Sequence, residues 1–154
     1  MPHIRLVTDL DAPQARAFDA SLDLDLEVRA GDPYGMRIAR RSERSGGIIE
    51  HGQAVTWQAR HFGITWTHTS RITEHDRPKR FVDEMERGVF AEFRHVHTFE
   101  ELPGHRTRMT DDLYYRSPLG ALGRLADRLF VERRLRRLLT ERNAEIARVC
   151  RTAR

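Results

Sequence analysis

Six polar residues stand where the apolar face of a strand belongs, and they are the residues best equipped for chemistry. His61, His68, Asp83, His95, His97 and Asp111 each share the parity of apolar neighbours in segments that alternate with a period of two. An imidazole titrates near neutrality and a carboxylate can orient it. A His–Asp pair can therefore move a proton at a substrate carbonyl, as enolisation or aldol-type ring closure requires. Turn positions sharpen the pairing. A hairpin centred at Pro103-Gly104 sets His97 across from Asp111, and one centred beside Gly88 sets His95 across from Asp83. Opposed residues on adjacent strands hold their Cβ atoms about 4.5–5.5 Å apart, close enough for a carboxylate–imidazole hydrogen bond. A slip of one residue would undo both pairs.

Four uses of these residues compete. They could be buried pairs that satisfy one another and fix strand register, because an unpaired buried charge is very costly. They could be polar handles in a mostly apolar ligand pocket. They could be acid–base groups. The spacing His95-x-His97 also projects two imidazoles to one side, and His61 or His68 could add a third to hold zinc with an open position. A lone His-x-His is a weak metal signal, so the expectation is no metal and no cofactor.

Positioning such residues requires a sheet with one apolar face. Turn signals at Gly31-Asp32-Pro33, Gly46-Gly47, Gly63, Asp76-Arg77-Pro78, Gly88, Pro103-Gly104 and Pro118 cut the chain into segments of hairpin length. The first strand is expected over His3 to Thr8, and Pro13 suits the first turn of a helix with Asp11 or Ala12 near its cap. Residues 20–30 fit two periods: Leu22, Leu24, Leu26 and Val28 alternate, while Phe18, Leu22 and Leu26 have helical spacing. Periodicity leaves both open; the architecture favours helix.

Beyond residue 35 the alternation is plain. Val55, Trp57, Ala59 and His61 share one face, and the next strand turns Ile64, Trp66, His68 and Ile72 to the same side. Phe81, Asp83 and Met85 follow, then Phe93, His95, His97 and Phe99, then Met109, Asp111, Leu113 and Tyr115. Arg71 has outward parity and is excluded from any pocket. After Ser117-Pro118 the period becomes helical, with Leu119, Leu122, Leu125 and Leu129, then Leu135, Leu138, Leu139, Ile146 and Val149 as the expected apolar stripe. The slip between Leu129 and Leu135 predicts a kink or a change of buried face. A helix of about thirty residues spans roughly 45 Å and needs a sheet to cradle it.

Composition narrows the class. The 154 residues are 39% hydrophobic and 32% charged, a globular balance with room for a real core. No run approaches the roughly 20 apolar residues of a membrane span, the N-terminus lacks a signal-peptide pattern, and the single cysteine, Cys150, excludes an internal disulfide. A cytoplasmic location is the default expectation. Lys79 is the only lysine among 27 basic residues, and from Pro118 onward ten arginines face four acids. That basic segment could serve an anionic partner; the plainer reading is a solvated helix face whose arginine stems cover apolar surface. Nucleic acid is not an expected partner. Phosphate loops, nucleophile elbows and metalloprotease helix motifs are all missing.

The order strand, helical segment, six-strand meander and long C-terminal helix resembles the START-like superfamily, also called SRPBCC or Bet v 1-like. Within it, the chain is similar to the bacterial polyketide cyclase/dehydrase and lipid-transport branch. The text that carries this runs Val55 to Gly63 (VTWQARHFG), Thr69-Ser70-Arg71-Ile72, Asp76-Arg77-Pro78, Phe81 to Met85 (FVDEM), Gly88-Val89-Phe90, His95 to Phe99 (HVHTF), Arg108 to Asp111 (RMTD) and Ser117 to Gly120 (SPLG). The resemblance implies an α+β helix-grip domain over residues 1–154: a curved, antiparallel, seven-stranded sheet around a long C-terminal helix. It also implies a cavity between the two for an apolar or aromatic ligand, and no particular reaction.

Three functions follow as expectations. The first is binding of a hydrophobic, aromatic or polyketide/lipid-like small molecule by Trp57, His61, Trp66, His68, Phe81, Met85, Phe93, Met109 and Tyr115. Trp57 and Tyr115 lead, because their polar tips can serve a ligand while the rings pack. The second is a cyclase or dehydratase using His97 with Asp111, or His95 with Asp83. The third is an interaction protein that docks through its basic final helix. No oligomeric state is implied. Cys150 is expected as a small buried hydrophobe.

Overall fold

A computed structural model describes residues 1–41 and 47–152; of the expected Gly46-Gly47 turn, Gly46 lies outside the described residues. Seven strands form one antiparallel sheet: β1 (His3–Leu10), β2 (Arg37–Arg41), β3 (Ala54–His61), β4 (Ile64–Asp76), β5 (Arg80–Arg87), β6 (Glu92–Leu102) and β7 (Arg106–Arg116). Their order is β1-β7-β6-β5-β4-β3-β2, a six-strand meander with β1 returned to pair with β7. The expected sheet is therefore present. Bulges between Ile38 and Arg40 in β2, at Thr73 in β4 and at Glu86 in β5 bend it, as an extra residue in one strand does.

Residues 20–30 are helical. Helix α1 (Gln14–Ser21) starts directly after Pro13, and α2 (Leu24–Ala30) is capped by Asp23, whose Oδ1 accepts from the backbone of Asp25 at 2.9 Å and of Leu26 at 3.3 Å. The two helices are separated at Leu22-Asp23, where Asp23 bridges to Ile48, and Leu24 is buried along with Phe18, Leu22 and Leu26. All four are buried against Phe81, Phe99 and Met109 of the sheet.

The C-terminal helical run divides at the slip in the sequence pattern. Helix α3 (Gly120–Ala126) passes through a π-helical turn (Asp127–Val131) into α4 (Glu132–Thr152). A π turn adds a residue and rotates the following face, which accounts for the displaced stripe. The stripe itself needs correcting in its first half. Leu119, Leu122, Leu125 and Leu129, expected to be buried, are exposed together with Phe130; α3 lies beyond the sheet it was expected to cover. In α4 the buried positions are Leu139, Arg142, Asn143, Ile146 and Cys150, spaced three or four apart. Each fully buried aliphatic side chain there contributes roughly 1.5–3 kcal/mol.

Helix α4 packs on β1, α1 and α2, and this divides the inner face of the sheet. One half is sealed: Phe18, Leu22, Leu26, Val55, Ile72, Phe81, Phe99, Met109, Ile146 and Cys150 form a continuous core. The other half, towards the opposite strand ends, is only partly covered. Ile4 of β1, Leu113 and Tyr115 of β7 and Leu139 of α4 form a second buried group there, with Phe90, Phe93, Val131 and Leu135 half-buried on it.

Candidate functional site

Four of the predicted chemical residues meet at the boundary between these halves. The expected registers are present: His97 pairs with Asp111 across β6 and β7, and Asp83 pairs with His95 across β5 and β6. The side chains nevertheless reach diagonally. His95 Nε2 lies 3.0 Å from Asp111 Oδ1, and His97 Nε2 lies 3.0 Å from Asp83 Oδ2. The directly opposed atoms are less well placed. His95 Nδ1 is 3.8 Å from Asp83 Oδ2, while His97 Nδ1 comes within 2.9 Å of Asp111 Oδ1 but out of line for a hydrogen bond. The two imidazoles lie against each other, centroids 3.8 Å apart, and Phe81 stacks on His97 at 4.1 Å. The result is a closed four-residue network.

Helix α4 completes it with two residues that strand parity does not reveal. Asn143 Nδ2 donates to Asp111 Oδ2 at 2.7 Å and to Thr8 Oγ1 at 3.1 Å. Arg142 is buried, donating from Nη2 to the Ser21 carbonyl at 3.0 Å and from Nε to Glu27 of α2; its Nη1 lies 3.6 Å from Asp111. The reading of the final helix as an all-solvated arginine face is corrected at this one position. The available signal was spacing: Arg142 and Asn143 sit three and four residues after Leu139 and just before Ile146, inside the apolar stripe.

Charge in the network follows from these contacts. Burial opposes ionisation of Asp111, yet the hydrogen bond from His95 and the close approach of His97 hold it well below the usual carboxylate range. Asp83 is lowered in the same way, with His97 foremost against burial. Burial works against His97 too, but Asp111 and Asp83 raise it. His95 is lowered, first by burial and then by His97. The cluster favours one imidazolium between two carboxylates. Its only partly open member is Asp83, whose side chain is 19% exposed, against 7% or less for His95, His97 and Asp111.

The remaining predicted residues separate by half. Trp66, His68, Met85 and Phe93 have inward parity and are half-buried outside the sealed core, whereas Trp57, expected with them, packs against that core and stands at its border. His68 stands edge-on to Phe93 at 5.0 Å, and burial lowers its basicity, with the charge of Asp83 opposing. The Trp66 indole is already engaged, donating to the His61 carbonyl at 2.9 Å. His61 is at the rim: its Nδ1 accepts from Arg134 at 3.0 Å, and its ring tilts against Tyr34. Ile64, expected to face inward, is exposed, because the Phe62-Gly63 turn lifts the strand start away from the cleft. Phe81 and Met109 belong to the sealed half, where Ser21 Oγ also contacts Met109 Sδ at 3.4 Å. Tyr115 is fully buried at the floor of the open half. Its hydroxyl has no hydrogen-bond partner among the described residues, and burial, with Asp127 and Glu132 nearby, pushes it up to about 12. Arg71 points outward and pairs with Glu86 at 2.5 Å.

A curved antiparallel sheet gripping a long C-terminal helix, with a polar cluster on the sheet's inner face, is the helix-grip architecture of START-like proteins. The chain belongs to the polyketide cyclase/dehydrase and lipid transport family, whose sequence profile matches residues 1–142. No curated protein sequence matches. Among solved structures, TTHA0849 from Thermus thermophilus superposes with a TM-score of 0.71 at 18% identity, covering 94% of this chain and 97% of that one. A START superfamily protein from Mycobacterium smegmatis gives 0.71 at 12% identity, over 96% and 98%. The Zhui aromatase/cyclase from Streptomyces sp. R1128 gives 0.72 at 17% identity, over 97% and 93%. These likenesses establish the fold. The family is one of hydrophobic-ligand binders and polyketide cyclase-type proteins. Among the described residues, no helix is long and apolar enough to cross a membrane.

Proposed function

We propose that the protein binds a hydrophobic small molecule, aromatic or polyketide/lipid-like and bearing at least one oxygen function, in the open half of the sheet's inner face. One observation carries this reading. Trp66, Met85 and Phe93, with inward parity, stay only half-buried in the half where Phe93 packs on the group of Tyr115, a buried residue whose hydroxyl has no partner among the described residues. An apolar wall with a few convergent polar atoms is the usual composition of a ligand site. A buried hydroxyl left unpaired costs about 1–3 kcal/mol, which a ligand oxygen would recover.

Trp66 belongs to this region and Trp57 stands at its border with the sealed core, so tryptophan fluorescence reports on it. Titration with 2-acetylnaphthalene, an aromatic ketone, should quench this fluorescence saturably. Phe93→Ala and Tyr115→Phe should each weaken binding about tenfold. Quenching that does not saturate, or that ignores both substitutions, overturns the reading. Native mass spectrometry of freshly purified protein, with denaturing extraction of anything bound, would then give the class of the natural ligand.

The exposure of Asp83 favours a second reading, a cyclase or dehydratase. Asp83 is the network member that can touch a substrate, with His97 behind it to pass a proton. His97→Gln should then abolish turnover while leaving the affinity for 2-acetylnaphthalene intact; unchanged turnover excludes it.

A further inference from the structure

The network has a surplus of negative charge and a point where three ligating atoms converge. Asp83, Asp111 and Glu27 are three carboxylates against one guanidinium, Arg142, and one imidazolium, so one negative charge remains uncompensated. His97 makes the excess local. Its two ring nitrogens lie 3.0 Å from Asp83 Oδ2 and 2.9 Å from Asp111 Oδ1. A neutral imidazole carries one proton, so holding His97 between two carboxylates calls for a positive charge there, supplied by a second ring proton or by a metal ion.

Asp83, His95 and His97 each offer an atom within 4.8 Å of the other two. Asp83 Oδ2 is 3.0 Å from His97 Nε2 and 3.8 Å from His95 Nδ1. Metal–ligand bonds of about 2.1 Å place neighbouring ligand atoms roughly 3.0–3.5 Å apart, so Asp83 and His97 already have that separation and His95 has to close in on them. The opposite nitrogen of each ring faces the same oxygen of Asp111, at 3.0 Å for His95 and 2.9 Å for His97. Asp111 is itself held by Asn143 at 2.7 Å. A carboxylate behind each histidine is the arrangement that orients metal-bound imidazoles. The partly open side chain of Asp83 leaves coordination positions facing the cleft.

We propose that Asp83, His95 and His97 bind a divalent first-row transition cation, of the zinc or ferrous class, with Asp111 and Asn143 as the orienting shell. Two imidazoles and one carboxylate with vacant positions suit such ions. The cation would neutralise the network and present a Lewis-acidic point to the oxygen of a ligand in the open half. The site lies beside the proposed ligand cleft but does not depend on it, since metal binding and quenching by 2-acetylnaphthalene are measured separately.

Cobalt(II) is the probe. The full chain, stripped with chelator, is titrated with Co2+ and followed by visible d–d absorption. The expected result is one saturable equivalent, displaced by Zn2+. Asp83→Asn, at a partly exposed position that circular dichroism can confirm as folded, should weaken binding about 100-fold or more. Asp111→Asn should weaken it about 10–100-fold through the orienting shell. His51→Gln, at an exposed histidine elsewhere, should change nothing. No absorption band, or a band that survives Asp83→Asn undiminished, overturns the proposal and leaves a shared proton as the charge between Asp83 and His97.

Discussion

At one end of the inner face Phe18, Phe81 and Phe99 are sealed to 2% exposure or less, their rings edge-on or stacked at 5.3–5.9 Å. At the other end Trp66, Met85 and Phe93 have the same inward parity and are only half-buried. The strands alternate in the same way at both ends, and both are rich in aromatic residues. What differs is the cover. Helices α1 and α2 bring Phe18, Leu22 and Leu26 onto the first half, and α4 adds Ile146 and Cys150. Over the second half the C-terminal run contributes only Leu139 and the half-buried Val131 and Leu135, then leaves as α3 with its leucines in solvent. An aromatic strand face is thus core or ligand wall according to what closes over it, and strand parity does not distinguish the two.

The comparison can be broken most directly at Phe18. Phe18→Ala opens a cavity in the sealed half and should cost about 3–5 kcal/mol in denaturant unfolding, whereas Phe93→Ala should cost less than about 1.5 kcal/mol and act on ligand affinity instead. Equal losses would mean that both halves are packed core. Arg142→Met tests the seam between them. Removing the guanidinium leaves Glu27 and the Asp111 network without their buried cation, and should cost about 3 kcal/mol. Adding Glu27→Gln should return part of that loss, and a strictly additive double variant would show that the two do not couple.

A pH effect sharpens the picture of the open half. Tyr115 is raised to about 12, first by burial, so its neutral form is favoured in the folded state. The stability this gives is complete below pH 10, the usual phenol value, and is lost as pH rises through about 12, because the unfolded chain ionises freely and the folded one does not. Tyr115→Phe should flatten the alkaline decline in that window. An unchanged profile would place the hydroxyl in solvent. The smallest effect belongs to α3. Leu122→Ser, on a side chain 65% exposed, should shift stability by no more than about 0.5 kcal/mol; a loss of several times that would mean that α3 is covered.

The sequence alone determined the sheet. Alternation with a period of two gave the inner face of β3 to β7, turn residues fixed the hairpins, and the two together set His97 opposite Asp111 and His95 opposite Asp83. These are local properties: a tight turn centres a hairpin, and a one-residue slip would invert every side chain. The slip before Leu135 was legible for the same reason, since it is written in residue spacing. Residues 20–30 carried both periods, and the expected architecture selected the helix.

Only the tertiary structure decided the rest. The diagonal His–Asp hydrogen bonds depend on side-chain rotamers within a correct register. Arg142 and Asn143 enter the site because α4 crosses β1 at the height of Asp111, a meeting of residues 32 positions apart. The leucines of α3 have the spacing of a buried stripe and stay exposed because α3 packs chiefly on the π turn at Asp127–Val131 and not on the strands. Periodicity states which side of an element is apolar; whether anything lies against that side depends on the path of distant segments, and so does the difference between a core and a binding cleft.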